Sequence, residues 1–91
     1  MKYVYVLQSE SDQGLYIGYS KNLKRRLSEH FSGKAQATAC RGPWKLIYYE
    51  AYIEEEDAMG RERFLKSGAG RKYLDRQLKN FFERRPRRRA T

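Results

Sequence analysis

Cysteine is nearly absent: Cys40 stands alone. That excludes an internal disulfide framework and a cysteine-rich zinc site, and makes a reducing, cytoplasmic setting the default. Long apolar runs are missing as well. The longest, Tyr3 to Leu7, is far too short to span a bilayer. No amino-terminal segment pairs basic residues with a long apolar stretch, so neither a membrane role nor a secretion signal is expected. Acidic residues are outnumbered, with 11 Asp and Glu against 20 Lys and Arg, for a net charge of +9 with His30 neutral. At 91 residues there is room for one small domain. The positive surplus favours an anionic partner, nucleic acid before an acidic membrane or protein. It is uneven, because Arg84, Arg85, Arg87, Arg88 and Arg89 supply five of the nine charges. An arginine run of this kind is expected to be disordered alone and to grip phosphates without reading sequence. Its alternative use is as a solubilising tail.

No internal repeat or low-complexity stretch precedes that run. Residues 2–7 are rich in aromatic and β-branched side chains and predict a strand. Ser9 to Gly14 is a turn cluster, and 15–19 predict a second strand that closes a hairpin with the first. Asn22 can cap a helix running to about Phe31, ended by Ser32-Gly33. Residues 34–43 read as a loop, and Trp44 to Ile53 as a third strand. A helix follows from about Glu55 to Lys66. Ser67-Gly68-Ala69-Gly70 is expected to break it, with a last helix ending near Phe82. The fold class is therefore α/β: a small three-stranded, mainly antiparallel sheet flanked by helices, in the order β-β-α-β-α-α. One domain is expected over 1–82 and a basic tail over 83–91.

Polar residues on inward faces carry the functional signal. In the first helix Leu23, Leu27 and Phe31 form a stripe expected to be buried. Arg26 and His30 lie on its edge, one turn apart on a shared face. An arginine there usually snorkels, and a lone histidine is usually a satisfied structural group. In the next helix Ala58, Met59 and Leu65 define an apolar arc, and Glu62 falls inside it. A buried carboxylate needs a cation, either an arginine or a metal. Glu54-Glu55-Glu56-Asp57 needs no such account, since it meets the positive end of the helix dipole. Tyr16 and Gly18 share a face of the second strand. If the hairpin closes as drawn, Tyr5 sits near Tyr16, and Gly18 leaves space beside them for a ligand or for backbone.

Together, Tyr5, Tyr16-Ile17-Gly18, Arg26, His30 and Glu62 resemble the GIY-YIG nuclease superfamily over roughly residues 2–66. The second half of the motif stands intact as Tyr16-Ile17-Gly18, and the first half keeps only its final tyrosine, in Tyr3-Val4-Tyr5. The short stand-alone bacterial members and the N-terminal nuclease domain of the excision-repair incision protein are the nearest in pattern. The resemblance implies a metal-dependent endonuclease hydrolysing phosphodiester bonds in DNA, with a repair or recombination role. It implies a single divalent ion, Mg2+ or Mn2+, held by Glu62 and water. Tyr5 and Tyr16 would serve as general base and as positioning groups for water or phosphate. Arg26 would stabilise phosphate charge, and His30 would support the nucleophile or a phosphate oxygen. So short a chain has no separate recognition domain, so low sequence specificity is expected. DNA contacts are expected from Lys21, Lys24 and Arg25 and from Arg84, Arg85, Arg87, Arg88 and Arg89. The alternatives are a non-catalytic nucleic-acid-binding module and a homodimer formed through the apolar stripe Leu74, Leu78 and Phe81 of the last helix.

Overall fold

A continuous run of large apolar side chains along the first strand calls for two covered faces, and the computed structural model, which describes residues 1–89, has them. The elements are β1 (Lys2–Ser9), β2 (Leu15–Ser20), α1 (Leu23–Phe31), β3 (Trp44–Tyr52), α2 (Glu55–Lys66), α3 (Gly68–Gln77) and α4 (Lys79–Arg84). The sheet is antiparallel in the order β2-β1-β3, so β1 is the central strand. A strand covered on both sides reads as a continuous buried run, and Val4 to Ser9 is one.

One face of β1 presents Val4 and Val6. With Ile17 they pack against Ala58 and Leu65 of α2, Leu74 of α3 and Phe82 of α4. The other face presents Tyr5 and Leu7, which join Trp44 and are covered by Leu23 and Leu27 of α1. The helices thus sandwich the sheet unequally: three on the Val4 face, and one short helix on the Tyr5 face. Among the described residues no helix is long and apolar enough to cross a membrane.

The observed helices correct three expectations. Phe31 does not complete the buried stripe of α1; it is 53% exposed, and His30 is buried in its place at 2%. The helix is turned so that the imidazole, which has polar partners below it, goes inward. Residues 68–70 do not interrupt helix either. Ser67 is the break: its extended backbone ends α2, while its hydroxyl accepts from the Gly70 amide and caps α3. The last helical stretch is two helices, divided at Leu78. Its apolar side chains, Leu74, Leu78, Phe81 and Phe82, pack on the molecule's own sheet, so this stripe gives the homodimer no support.

Gly70 shows why the α2–α3 corner is tight. A Cβ there would overlap the Phe64 carbonyl oxygen and the Leu65 Cα, both backbone atoms that cannot swing aside. At Gly68, two residues earlier, a Cβ would meet nothing within 4 Å. Gly70→Ala should therefore lower unfolding free energy by about 2 kcal/mol or more, as overpacking does. Gly68→Ala should be neutral or stabilising by at most about 1 kcal/mol, through the unfolded chain. Urea denaturation of the pair checks this; equal midpoints would contradict it.

Candidate active site

The hairpin register sets the geometry of the Tyr5 face. Tyr5 stands opposite Gly18 on β2 and opposite Tyr49 on β3, while Tyr16 faces Leu7. Tyr5 and Tyr16 are thus diagonal neighbours, with ring centroids 6.3 Å apart. The space beside Gly18 is not left for a ligand. A Cβ there would lie 2.5 Å from both Cζ and Oη of Tyr5 and 3.0 Å from Tyr16 Cε2, so the Tyr5 ring itself fills it.

Helix α1, capped by the Asn22 side chain on the Arg25 amide, brings the polar partners. His30 Nε2 lies 2.7 Å from Tyr5 Oη, and His30 Nδ1 lies 2.7 Å from Thr38 Oγ1. The Thr38 hydroxyl donates onward to the Ala35 carbonyl at 3.4 Å. That direction assigns the chain: Nδ1 carries the proton and donates to Thr38, and Nε2 accepts from the Tyr5 hydroxyl. The indole of Trp44 fixes the same loop, donating to the Thr38 carbonyl at 2.9 Å. Tyr16 packs its ring 5.1 Å from the imidazole and 6.3 Å from Trp44. Tyr5 is fully buried, whereas Tyr16 is only partly so.

Arg26 acts on the Tyr5 hydroxyl through its charge and holds Glu29, donating from Nη1 at 2.8 Å. Burial pushes the Tyr5 phenol up to about 12, with Tyr16 and Glu62 acting the same way, against the charge of Arg26. Burial also lowers the His30 pKa, assisted by the charge of Arg26 and opposed by Glu29. Both groups are therefore neutral at pH 7.

Two inward carboxylates lie on or beside α2, and they differ in how they are satisfied. Glu50 on β3 accepts from both Nε and Nη2 of Arg61 at 2.9–3.2 Å and from the hydroxyls of Tyr48 and Tyr52 at 2.5 Å. Burial pushes its carboxyl up, but these donors outweigh it and hold the pKa below the usual range. Glu62, with a side chain 15% exposed, has Lys66 one turn on as its single charged partner within 4 Å among the described residues, at 3.1 Å. Its charge reaches the Tyr5 hydroxyl. Among the described residues no three His, Cys, Asp or Glu side chains gather, so the donor set here is one carboxylate.

Thus Tyr5, Tyr16 and His30 pack together beneath α1, the charge of Arg26 acts on both phenols, and Glu62 belongs to the helix on the other side of the sheet. Lys21, Lys24 and Arg25 are exposed at the start of α1. Lys21 and Lys24 line a cleft of about 500 Å³ with Tyr3 and Tyr49. The tail arginines lie elsewhere. Arg84 closes α4 and Arg85 reaches Glu10 at 4.0 Å; Arg87 and Arg89 bind Asp75, and Arg88 approaches Asp12 at 3.5 Å. Residues 90 and 91 of the expected tail fall outside the described residues. Thr38 is a site residue that the sequence does not reveal, because its loop has no periodic pattern to mark it.

A buried neutral histidine has a pH signature. Its folded pKa lies below the ordinary 6.5, so the unfolded chain takes up the proton first. Its contribution is complete above about pH 6.5 and is lost as pH falls, by up to about 1.4 kcal/mol per pH unit. The depressed carboxylates, Asp12, Glu29, Glu50 and Asp75, act lower, beneath their ordinary values of 3.8 and 4.5. Melting curves from pH 7.5 to 5.0 should show a stability loss in the wild type that His30→Gln, though less stable at pH 7.5, lacks. Parallel curves for the two proteins would contradict it.

Comparison with known proteins identifies the family. A family model described as the GIY-YIG catalytic domain matches residues 1–74. A UPF0213 protein of Clostridium perfringens is 40% identical over 67 residues, 72% of this chain and 71% of that protein. A UPF0213 protein of Pediococcus acidilactici is 42% identical over 81 residues, 86% of this chain and 81% of that one. The solution NMR structure of a UPF0213 protein from Bacillus halodurans superposes with a TM-score of 0.56 at 33% identity, covering 100% of both chains. With residues 1–74 matched by the family model and relatives of 40% and 42% identity covering most of its length, the chain belongs to the GIY-YIG family.

Proposed function

We propose that this protein is an endonuclease that hydrolyses phosphodiester bonds in DNA, using a single divalent ion, Mg2+ or Mn2+, with low sequence preference and a repair or recombination role in the cytoplasm. The observation that carries the reading is the packed cluster of two phenols and an imidazole, with the charges of Arg26 and Glu62 acting at Tyr5. The single exposed thiol, Cys40, suits a reducing compartment.

Tyr16 is the phenol open to solvent and is assigned to the water or the phosphate. Tyr5 stands behind it: fully buried, it keeps its proton and donates it to His30 Nε2, which fixes the wall against which Tyr16 packs. As water attacks phosphorus and the bond to the leaving oxygen breaks, Tyr16 acts as general base in its phenolate form and takes the proton lost from water, while the leaving oxygen takes one from solvent. Arg26 offers a fork of donors to the phosphate oxygens. Glu62 fits a hard cation because, unlike the saturated Glu50, it is held by one lysine only. A bound ion would supply Lewis-acid stabilisation of the charge that develops on the phosphate. Lys21 and Lys24 flank Tyr3 and Tyr49, a pairing of cations and aromatic faces suited to a nucleic-acid strand, and Arg25 is exposed next to Lys24.

One observation favours a second reading, a non-catalytic nucleic-acid-binding module. Arg26 and Glu62 are each engaged by an internal partner, Glu29 and Lys66. The two readings separate on a panel of single-stranded, flap, branched and duplex DNA with parallel RNA substrates, in Mg2+ or Mn2+. Wild type should cut DNA, and Glu62→Gln and Arg26→Ala should cut about 10²- to 10³-fold more slowly. Tyr16→Phe should lose about 10²-fold in kcat. Salt-sensitive binding without turnover, or equal cleavage by wild type and Glu62→Gln, would overturn the nuclease reading.

A further inference from the structure

We propose that a cationic cavity at the α2–α3 corner is a second phosphate site, which holds the nucleic-acid backbone to one side of the bond being cut. The inference rests on the nucleic-acid reading above. The cavity, about 440 Å³, is bounded by Gly14 and Leu15 of the hairpin, by Arg41, by Lys66, Ser67, Gly68 and Arg71, and by Arg87 and Arg88. Five cationic side chains line it, and among the described residues no carboxylate does.

Three carboxylates touch these cations from outside the cavity. Asp12 meets Arg41 at 2.9 Å and Arg88 at 3.5 Å, Asp75 meets Arg87 at 2.9 Å, and Glu62 meets Lys66 at 3.1 Å. Fewer acids than bases leave a net positive field inside. Arg71 is the odd member. Its Nε is buried with no hydrogen-bond partner among the described residues. A buried donor without an acceptor is unfavourable, and more so when it is charged. Burial, with Arg87 nearby, also depresses the Arg71 pKa, against a smaller opposing effect of Asp75. An anion in the cavity supplies what this group lacks.

Two further features suit a phosphate. The cavity lies at the amino end of α3, a ten-residue helix whose first amides and dipole favour negative charge. At Gly14 a Cβ would overlap the Arg41 guanidinium and lie 3.0 Å from Arg88 Nη2, so a glycine there lets both forks close on one volume.

The position relates the cavity to the candidate active site. Lys66 follows Glu62 by four residues, which is about 6 Å along the helix axis. Phosphates on one strand of a duplex are spaced about 3.4 Å along its axis. The cavity is therefore placed to meet a neighbouring phosphate of the strand whose scissile phosphate lies at Glu62. Arg41 also lies 4.9 Å above the Trp44 ring, which in turn packs on Tyr16.

The test uses the full chain in EDTA, so that no cleavage interferes. Inorganic phosphate is titrated by NMR, and a fluorescein-labelled 12-nucleotide single-stranded DNA by anisotropy at several salt concentrations. Phosphate should shift the amides of Gly68, Ala69 and Arg71. Arg71→Gln and Arg88→Gln should each weaken DNA binding about tenfold and reduce the salt slope by about 0.7, as loss of one phosphate contact does on a single strand. Lys79→Gln, an equal charge change outside the cavity, should weaken it less than about twofold. Arg88 is exposed, so its variant stays informative if Arg71→Gln unfolds. DNA affinities of the cavity variants matching Lys79→Gln would overturn the proposal. So would phosphate binding with DNA affinity unchanged, which would mark a site for the free anion. If wild type cuts nothing but the cavity variants bind DNA weakly, the nuclease reading falls and the phosphate site stands. If DNA is cut and its affinity ignores the cavity, the reverse holds.

Discussion

The hydrogen bond between Tyr5 and His30 is the constraint on which the rest of the candidate site depends. It joins the central strand to a helix 25 residues away, on a face where neither group meets water. Burying a phenol and an imidazole side by side is tolerable only if every polar atom is matched. Thr38 completes the set at Nδ1, and its own hydroxyl returns to the Ala35 carbonyl. The loop between α1 and β3 is therefore part of the site's scaffold, even though it contributes no group to the pocket wall. Gly18 belongs to the same argument, since only a residue without a side chain lets the Tyr5 ring lie across β2.

The two sides of the sheet divide their tasks by how charge is satisfied. On the Val4 face Glu50 is gripped by Arg61 and two tyrosines, and Arg61 is stacked 4.4 Å from the Tyr73 ring. A carboxylate so fully bonded cements β3 to α2 and has nothing left to offer a ligand. Glu62 sits one helix face away with a lysine as its partner. Chemical identity alone does not separate the two acids; the number of donors around each does.

Much of this is legible from the residues. Aromatic and β-branched content locates β1 and β2, the Asn22 cap locates α1, and a helix expected from about Glu55 to Lys66 is α2. The structure packs Tyr5, Tyr16 and His30 together, with Arg26 near both phenols. Three things are not legible. The rotation of α1 puts His30 rather than Phe31 inside, because hydrogen-bond partners from β1 and a distant loop outweigh the apolar stripe. The helical state of residues 68–70 is hidden because Gly70 is there for the close approach of α2, not for a turn. Arg41 and Arg71 carry no local signal, since their partners come from the hairpin turn and the chain end.

Burial also separates two tyrosines that sequence cannot rank. Both phenols lie near Arg26, yet Tyr5 is sealed and pushed up to about 12, while Tyr16 keeps a solvent-facing edge. A sealed phenol with a raised pKa keeps its proton and donates it along a fixed line to His30. A phenol that reaches solvent can meet a water or a phosphate directly. The order from solvent inward is thus Tyr16, Tyr5, His30, Thr38. Under the proposed nuclease function, the inner groups would orient the outer phenol without touching substrate. The arrangement needs a dry interior behind an open mouth. A single short helix over one face of a three-stranded sheet supplies both, because α1 covers Tyr5 and Leu7 but leaves Tyr16 at its edge.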